Sequence, residues 1–237
     1  MRLNRFLASA GLGSRRSVEE LITSGQVRIN GRVVTDLATQ VGPDDAVKVG
    51  SRLLRSQQSL TAILNKPRGF VCTASDDLDR KTIFDLLPAN WPRVYHVGRL
   101  DKESEGLLIV TNDGDLSLAL THPSFKIEKE YEVLLDKSFD LKDREKLLRG
   151  FHIMGGRAKA ERVEVLAPTH LRMVLAQGIK RQIRLMLYEL GYEVERLARI
   201  RIGPLKIGEM RPGEWRMLTP KEVAALKSGT SPTRKRA

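Results

Sequence analysis

The sequence predicts a two-domain α+β protein, with a small N-terminal unit followed by a larger mixed domain. The N-terminal region shows helical spacing and then a hairpin signal, whereas the region after it alternates short strand-like segments with fewer helical ones. With 237 residues and 41% hydrophobic content, the chain can bury a substantial core. We therefore divide it into an N-terminal domain at 1–49, a polar linker at 50–60, a large domain at 61–226 and a disordered basic tail at 227–237.

The N-terminal domain is predicted to contain two short helices and a hairpin. Apolar residues from Leu3 to Ala10 are at helical spacing and predict the first helix. A capping box at 17–20 is predicted to begin the second helix, and Gly25 is predicted to end it with a left-handed backbone conformation. Asn30-Gly31 lies between two alternating segments and is a strong two-residue hairpin signal.

The large domain is predicted from the periodicity of its apolar residues. Its strand-like segments are 62–64, 94–97, 107–111, 131–135, 160–166 and 171–175. Its two clear helices are 141–148 and 181–190. The acidic segment 112–115 is predicted to form a turn after the strand at 107–111.

The charge balance favours nucleic acid as the partner. There are 41 Lys and Arg against 29 Asp and Glu, which leaves a net charge of +12. No basic amphipathic helix, long apolar run or secretory signal is evident, so we expect a cytoplasmic protein without membrane contact. The single Cys72 and four scattered histidines predict neither a disulfide nor a zinc site. We expect no metal, no cofactor and a monomer.

A short polar loop containing Asp101 is the strongest candidate for a functional site. It follows a strand-like segment, precedes the apolar run at 107–111, and has Gly98 and Gly106 at its two ends. Arg99 lies two residues before the carboxylate. Taken alone, such a loop is more often a surface turn with an ion pair than an active site.

The N-terminal domain resembles the S4 RNA-binding domain over nearly its full length. The resemblance rests on the segments 2–7, 13–16, 25–31 and 47–49. The resemblance implies a domain that binds structured RNA through phosphate contacts. The alternative is a small basic helical domain that packs against its neighbour. The arginines expected to contact RNA are Arg2, Arg5, Arg15, Arg16, Arg28 and Arg32.

The large domain resembles the pseudouridine synthases, and in particular the RsuA/RluB branch that modifies single sites in ribosomal RNA. The Gly-Arg-Leu-Asp loop carries the most specific part of the match, and the other segments follow in the family's order. They are 65–69, 128–133, 177–184, 196–205 and 213–219. The resemblance implies a mixed, mainly antiparallel sheet and an RNA isomerase that needs no cofactor.

The resemblance also implies roles for three catalytic residues. Asp101 would be the essential carboxylate, acting as a nucleophile or removing the proton at C2′. Arg184 would form an ion pair with Asp101, although spacing alone also fits the exposed side of an amphipathic helix. Tyr131 would stack on the flipped uracil and help to remove the C5 proton, although its strand also fits a core tyrosine.

Four further cations are expected to contact RNA around this site. Arg99 would enter the RNA helix or stabilise the flipped nucleotide, unless it forms a structural ion pair with Glu103 or Glu105. Lys66 and Lys129 would contact phosphate or brace the loop. Arg181 stands where some branches of the family carry a histidine.

The function expected is therefore conversion of uridine to pseudouridine in ribosomal RNA, free or in an assembly intermediate. Large-subunit RNA is favoured over small-subunit RNA. One alternative is a ribosome-assembly factor that binds RNA without chemistry. Another is a sugar-active hydrolase, which would need Glu103 or Glu105 as a second catalytic carboxylate.

Overall fold

A computed structural model describes residues 1–74 and 76–229 of the chain. The chain divides into two compact units. The smaller unit comprises Met1–Leu60 with Pro92–Val94, and the larger comprises Thr61–Trp91 with the chain from Tyr95 onward.

The smaller unit has the predicted order of two helices and a hairpin. The hairpin turn is formed by Asn30 and Gly31, with φ angles of 50° and 83° that glycine and asparagine tolerate best. A four-stranded antiparallel sheet in the order β2-β1-β3-β4 packs with the helices around Leu3, Leu7 and Ile22. The elements are α1 (Leu3–Ser9), α2 (Glu19–Thr23), β1 (Val27–Ile29), β2 (Arg32–Val34), β3 (Val47–Val49) and β4 (Arg52–Leu53).

Two local predictions in this unit are wrong. The predicted capping box does not form, because α2 begins after Val18 without a side-chain cap and the Ser17 hydroxyl is hydrogen-bonded to Ser14 instead. The predicted linker at 50–60 begins inside the sheet, where β4 pairs with β3 and Leu54 is buried behind it.

The larger unit contains the remaining elements. Its strands are β5 (Thr61–Lys66), β6 (Tyr95–Val97), β7 (Glu105–Thr111), β8 (Lys129–Leu135), β9 (Phe151–Ile153), β10 (Gly156–Ala158), β11 (Arg162–Ala167), β12 (His170–Leu175), β13 (Val194–Ile202), β14 (Leu205–Lys206) and β15 (Trp215–Met217). Its helices are α3 (Gly114–Thr121), α4 (Leu141–Arg149), α5 (Gln182–Glu189) and α6 (Pro220–Gly229), with 3₁₀ turns at Ile83–Leu86 and Pro123–Phe125.

Nine of these strands form one sheet in the described part of the chain. Its order is β11-β12-β8-β13-β7-β5-β15, with β6 added beside β7 and β14 beside β13. The described pairings are antiparallel except that of β7 with β13. The prediction of a mixed, mainly antiparallel sheet is confirmed. β9 and β10 form a separate hairpin.

Two apolar clusters pack the helices of this unit against its strands. One combines α4 and α5 with β8, β12 and β13. The other combines α3 and α6 with β5 and β7. The α3 helix corrects the prediction of a turn at 112–115, because the Asp113 side chain accepts hydrogen bonds from the amides of Asp115 and Leu116 and caps the helix.

The C-terminal prediction is partly corrected. Residues 227–229, which were assigned to a disordered tail, belong to α6. Residues 230–237 lie outside the described residues. None of the helices in the described ranges has the length and apolar character that crossing a bilayer requires.

Candidate active site

A cavity of about 350 Å³ lies in the larger unit, beside the loop that precedes β7. Its lining includes the loop with Arg99 and Asp101, the strands β8 and β13, and the segment 177–183 at the start of α5, together with residues of β7, α3 and β12. The volume is within the range of pockets that hold small ligands. The cavity therefore brings together segments that are far apart in the sequence.

The Asp101 loop is held by a buried lysine on β5. Lys66 is 0% exposed, and its ammonium donates hydrogen bonds to the carbonyls of Ser104 at 2.6 Å, Pro67 at 3.1 Å and Lys102 at 3.4 Å. Burial lowers the pKa of Lys66, while the charges of Cys72 and Asp101 oppose this shift. Of the two roles predicted for Lys66, bracing the loop fits the structure. A phosphate contact does not, because the ammonium is buried and already bonded.

Gly106 allows the end of the loop to lie directly against β13. It pairs with Arg199 in the parallel ladder, and a Cβ at Gly106 would stand 2.3 Å from the Arg199 carbonyl oxygen. Its φ of +103° also favours glycine. The glycine in the motif is thus required by the close approach of two backbones.

Lys129 and Tyr131 lie on the cavity face of β8. Residues two apart on a strand share a face, and both side chains line the cavity. Tyr131 also packs against the apolar cluster of α4 and α5, and within the described ranges its hydroxyl makes no hydrogen bond. A buried core tyrosine would pair its hydroxyl, so this placement favours a role in the cavity.

The Lys129 side chain is partly buried. It donates a hydrogen bond to the carbonyl of Ile127 at 3.1 Å. Burial lowers the pKa of Lys129 to about 8, and the positive charge of Arg199 acts in the same direction.

The opposite face of β8 carries carboxylates. Glu130 forms an ion pair with Arg201 at 2.6 Å, and Glu132 pairs with Arg172 at 3.1 Å. These pairs bridge neighbouring strands of the sheet. One face of β8 thus contributes to a cavity and the other to a ladder of ion pairs.

The predicted ion pair between Arg184 and Asp101 is not formed among the described residues. The Arg184 guanidinium donates instead to the carbonyls of Val194 at 2.7 Å and Glu103 at 3.3 Å. Burial and the charge of Arg181 lower the pKa of Arg184, whereas the negative charge of Asp101 opposes this shift. Arg184 therefore holds the loop through a backbone contact, and the negative charge of Asp101 acts on its guanidinium.

The acidic residues of the loop pair with arginines other than Arg99. Glu103 bonds Arg68 at 2.8 Å and Glu105 bonds Arg196 at 2.5 Å. Arg99 is exposed at the cavity and forms no ion pair within the described residues, so the predicted structural alternative for it is wrong. Neither glutamate lines the cavity, which removes the second carboxylate that the hydrolase alternative requires.

Arg181 caps α5 with a left-handed backbone. Its φ is 56°, which is unusual for a residue other than glycine, and its exposed side chain lines the cavity.

Arg199 is a cavity residue that was not predicted from the sequence. This arginine is only 2% exposed and lines the cavity from β13, opposite Tyr131. A bulge between Arg199 and Arg201 turns the two side chains to opposite faces of the sheet. The available signal was an arginine two residues after the buried Leu197 in an alternating segment. Strict alternation, however, would have placed Arg201 on the same face.

The arginines predicted to contact RNA from the smaller unit lie at its surface. Five are exposed and Arg5 is partly buried. The five are Arg2, Arg15, Arg16, Arg28 and Arg32.

A net charge of +12 and a cavity lined by several cations and by the carboxylate of Asp101 suit an enzyme that acts on nucleic acid. The family model described as RNA pseudouridylate synthase matches residues 61–189, and the S4 domain model matches residues 1–47. The chain belongs to the RNA pseudouridine synthase family and carries an N-terminal S4 domain.

Relatives match over nearly the whole chain. An uncharacterized RNA pseudouridine synthase of Aquifex aeolicus is 38% identical, with 95% of this chain and 93% of the relative covered. The ribosomal large subunit pseudouridine synthase B of Bacillus subtilis is 35% identical, with 96% of each covered. A crystal structure of a pseudouridylate synthase superposes with a TM-score of 0.70 at 29% identity, covering 95% of this chain and 99% of the other.

Proposed function

We propose that this enzyme converts uridine to pseudouridine in ribosomal RNA, with Asp101 as the essential carboxylate. The observation that carries the proposal is the cavity, where Asp101 lies with Tyr131 and exposed Arg99. Similarity to a large-subunit enzyme of Bacillus subtilis favours large-subunit RNA as the substrate.

The reaction is an isomerisation in which no atom is added to or lost from the nucleotide overall. The bond from C1′ to N1 breaks, the base turns within the cavity, and a bond from C1′ to C5 forms. Asp101 begins the process by attacking C1′ or by removing the proton at C2′. The hydrogen on C5 is then lost as a proton, and N1 gains one. Such chemistry requires no redox cofactor.

Tyr131 is suited to hold the base while it is detached. Its ring forms part of the cavity wall, and its unpaired hydroxyl can accept or deliver a proton. Arg99 and Arg181, at the exposed part of the lining, are suited to the phosphates beside a flipped nucleotide. The S4 domain adds affinity for structured RNA through its surface arginines.

We also infer that the protein is a monomer and acts in the cytoplasm.

The test is release of tritium from C5-labelled uridine in unmodified ribosomal RNA transcripts of each subunit. Native protein, Asp101→Asn and Glu103→Gln are compared at equal protein concentration and saturating RNA. Glu103 is a matched control because it lies in the same loop, is exposed, and does not line the cavity. We expect release by the native protein and by Glu103→Gln, but not by Asp101→Asn.

The outcomes separate the alternatives. Release that survives in Asp101→Asn would overturn the catalytic role of Asp101. Release from small-subunit RNA alone would correct the substrate. Absence of release by the native protein from either RNA and from partly assembled subunits, with tight binding retained, would favour an assembly factor.

A further inference from the structure

We propose that Lys129 and Arg199 stabilise the negative charge on the detached uracil by donating hydrogen bonds to its carbonyl oxygens. This inference depends on the proposed function, because only that reaction detaches a uracil in the cavity. It assigns a chemical role to a buried arginine and a partly buried lysine, neither of which belongs to the proposed catalytic set of Asp101, Tyr131 and Arg184.

The sheet brings the two cations to the same wall as Tyr131. Tyr131 lies directly opposite Arg199 in the antiparallel ladder, and Lys129 is two residues before it on β8. The bulge after Arg199 sends Arg201 to the ion-pair ladder while Arg199 stays in the cavity. Bulges commonly redirect a side chain beside an active site, and this one separates a structural arginine from a cavity arginine.

Both cations retain hydrogen-bond donors that the described protein does not satisfy. Arg199 Nε donates to the Leu107 carbonyl at 2.7 Å, but its Nη2 is buried and has no hydrogen-bond partner in the described ranges. The Lys129 ammonium can donate three hydrogen bonds, and one goes to Ile127. A buried donor without an acceptor destabilises the protein, so the retention of Arg199 Nη2 here favours a ligand that supplies the acceptor.

The charges around the cavity leave these two cations without a carboxylate partner. Neither forms an ion pair within the described residues. Asp101 is the single carboxylate in the described lining, and its negative charge raises the pKa values of Lys66 and Arg184 against the effect of burial. The other charged or titratable groups that face Lys129 across the cavity are Arg99, Tyr131, Lys180, Arg181 and Arg199.

The reaction generates negative charge at the base. Whichever way Asp101 acts, the electron pair of the bond from C1′ to N1 passes to uracil, which becomes an anion delocalised over N1, O2 and O4. Donors that are already in position before the reaction stabilise such charge without reorganising at the moment of reaction. When C5 bonds to C1′, the base becomes neutral; C5 then loses its proton and N1 gains one, so the product carries no charge on the base. The cations therefore assist the step without becoming attached to the product.

Exposed cations of the lining are suited to a different task. Arg99, Lys180 and Arg181 are exposed, whereas Arg199 is buried. Phosphates of a flipped nucleotide remain near solvent, and the base is the part that enters the cavity. The exposed cations of the lining are therefore assigned to the RNA phosphates, and the more deeply placed Lys129 and Arg199 are assigned to the base.

The experiment compares RNA that carries uridine or 5-fluorouridine at the target position. Fluorine withdraws electrons and makes the detached base a more stable anion, so its departure depends less on protein cations. Consumption of the target N-nucleoside is measured under single-turnover conditions, at saturating RNA, by digestion and chromatography. The variants are Lys129→Met and Arg199→Lys, with the exposed Lys206→Met on β14 as the control.

We expect Lys129→Met to slow consumption of uridine by about 10²-fold, as removal of one preorganised donor does elsewhere. Consumption of 5-fluorouridine should slow by a clearly smaller factor. Arg199→Lys, which shortens the donor, should show the same pattern with a smaller loss. RNA affinity should stay unchanged in both variants, and Lys206→Met should match the native protein on both substrates.

A pH profile gives a second readout that does not require Lys129→Met to fold. The native rate should fall above about pH 8, as the Lys129 ammonium loses its proton. In Lys129→Arg, this fall should move beyond the accessible range because a guanidinium keeps its charge.

Equal slowing of both substrates, an unchanged rate in Lys129→Met, or an alkaline limb that Lys129→Arg does not move would overturn the proposal. No consumption of uridine by the native protein would overturn the proposed function and this inference together. A defect confined to the variants leaves the proposed function intact, so the two failures are distinguishable.

Discussion

Replacing Gly106 with alanine should destabilise the larger unit and disturb the site. A Cβ there would lie 2.3 Å from the Arg199 carbonyl oxygen and 2.7 Å from its nitrogen. Both contacts are with backbone, which cannot rotate away as a side chain could. The positive φ adds a second cost, because a residue with Cβ is strained in that region.

The two costs can be estimated separately. Backbone strain contributes about 1–3 kcal/mol. Forcing an extra carbon into close packing contributes about 1–3 kcal/mol more. The free energy of unfolding should therefore fall by roughly 2–6 kcal/mol, which lowers Tm by roughly 4–24 °C for a domain of this size.

Thermal unfolding followed by circular dichroism measures the effect, with Gly208→Ala as the matched control. Gly208 has a φ of +62°, but a Cβ there would meet no atom within 4 Å. It therefore carries strain without the close approach. If both variants lose the same Tm, the contact between β7 and β13 does not explain why glycine is needed at 106. Uridine consumption should also fall more in Gly106→Ala than in Gly208→Ala.

Three further predictions concern affinity, pH and the buried lysine. Arg15→Gln and Arg16→Gln should each weaken RNA binding and reduce the slope of log affinity against log salt by about one unit, measured by filter binding; an unchanged slope would remove them from the interface. Arg216 holds the pKa of Glu222 at about 2, below its ordinary 4.5, so native stability should decline as the pH falls from about 4.5 to about 2. Glu222→Gln should reduce that decline in acid unfolding and cost less than about 1 kcal/mol at neutral pH, since the pair is partly exposed. Asp76 and other carboxylates with lowered pKa values keep the remainder, and an undiminished decline would show that the pair of Glu222 with Arg216 does not contribute. Lys66→Met should lower Tm sharply because each buried loop carbonyl left unsatisfied costs about 1–3 kcal/mol, and a native-like Tm would show that the ammonium does not hold the loop.

The sequence was sufficient where structure depends on near neighbours. Asn30-Gly31 identified the hairpin because its turn needs positive φ at both positions. The periodic segments at 141–148 and 181–190 correspond to α4 and α5. The Asp101 loop was recognisable because its motif is contiguous, and its polar residues stand between two strands.

Features that depend on distant partners escaped sequence analysis. β13 mixes charged and apolar residues because it is the centre of the sheet and serves two different faces. The position of Arg199 depends on a bulge that no local pattern indicates. The burial of Lys66 depends on carbonyls 36 and 38 residues further along the chain, so its sequence context suggested an available cation.

One face of β8 carries Lys129 and Tyr131, and the other face carries carboxylates. The reaction therefore depends on the register of this strand in the sheet. Side chains alternate, so sliding this strand by a single residue would present Glu130 and Glu132 to the cavity and withdraw Lys129 and Tyr131. The cavity would then be lined by carboxylates, which repel the phosphates of RNA. Point substitutions along β8 change one face at a time, whereas a one-residue insertion or deletion exchanges both faces together. Insertions and deletions should consequently be tolerated only in the loops of this protein, whereas the strands should tolerate point substitutions.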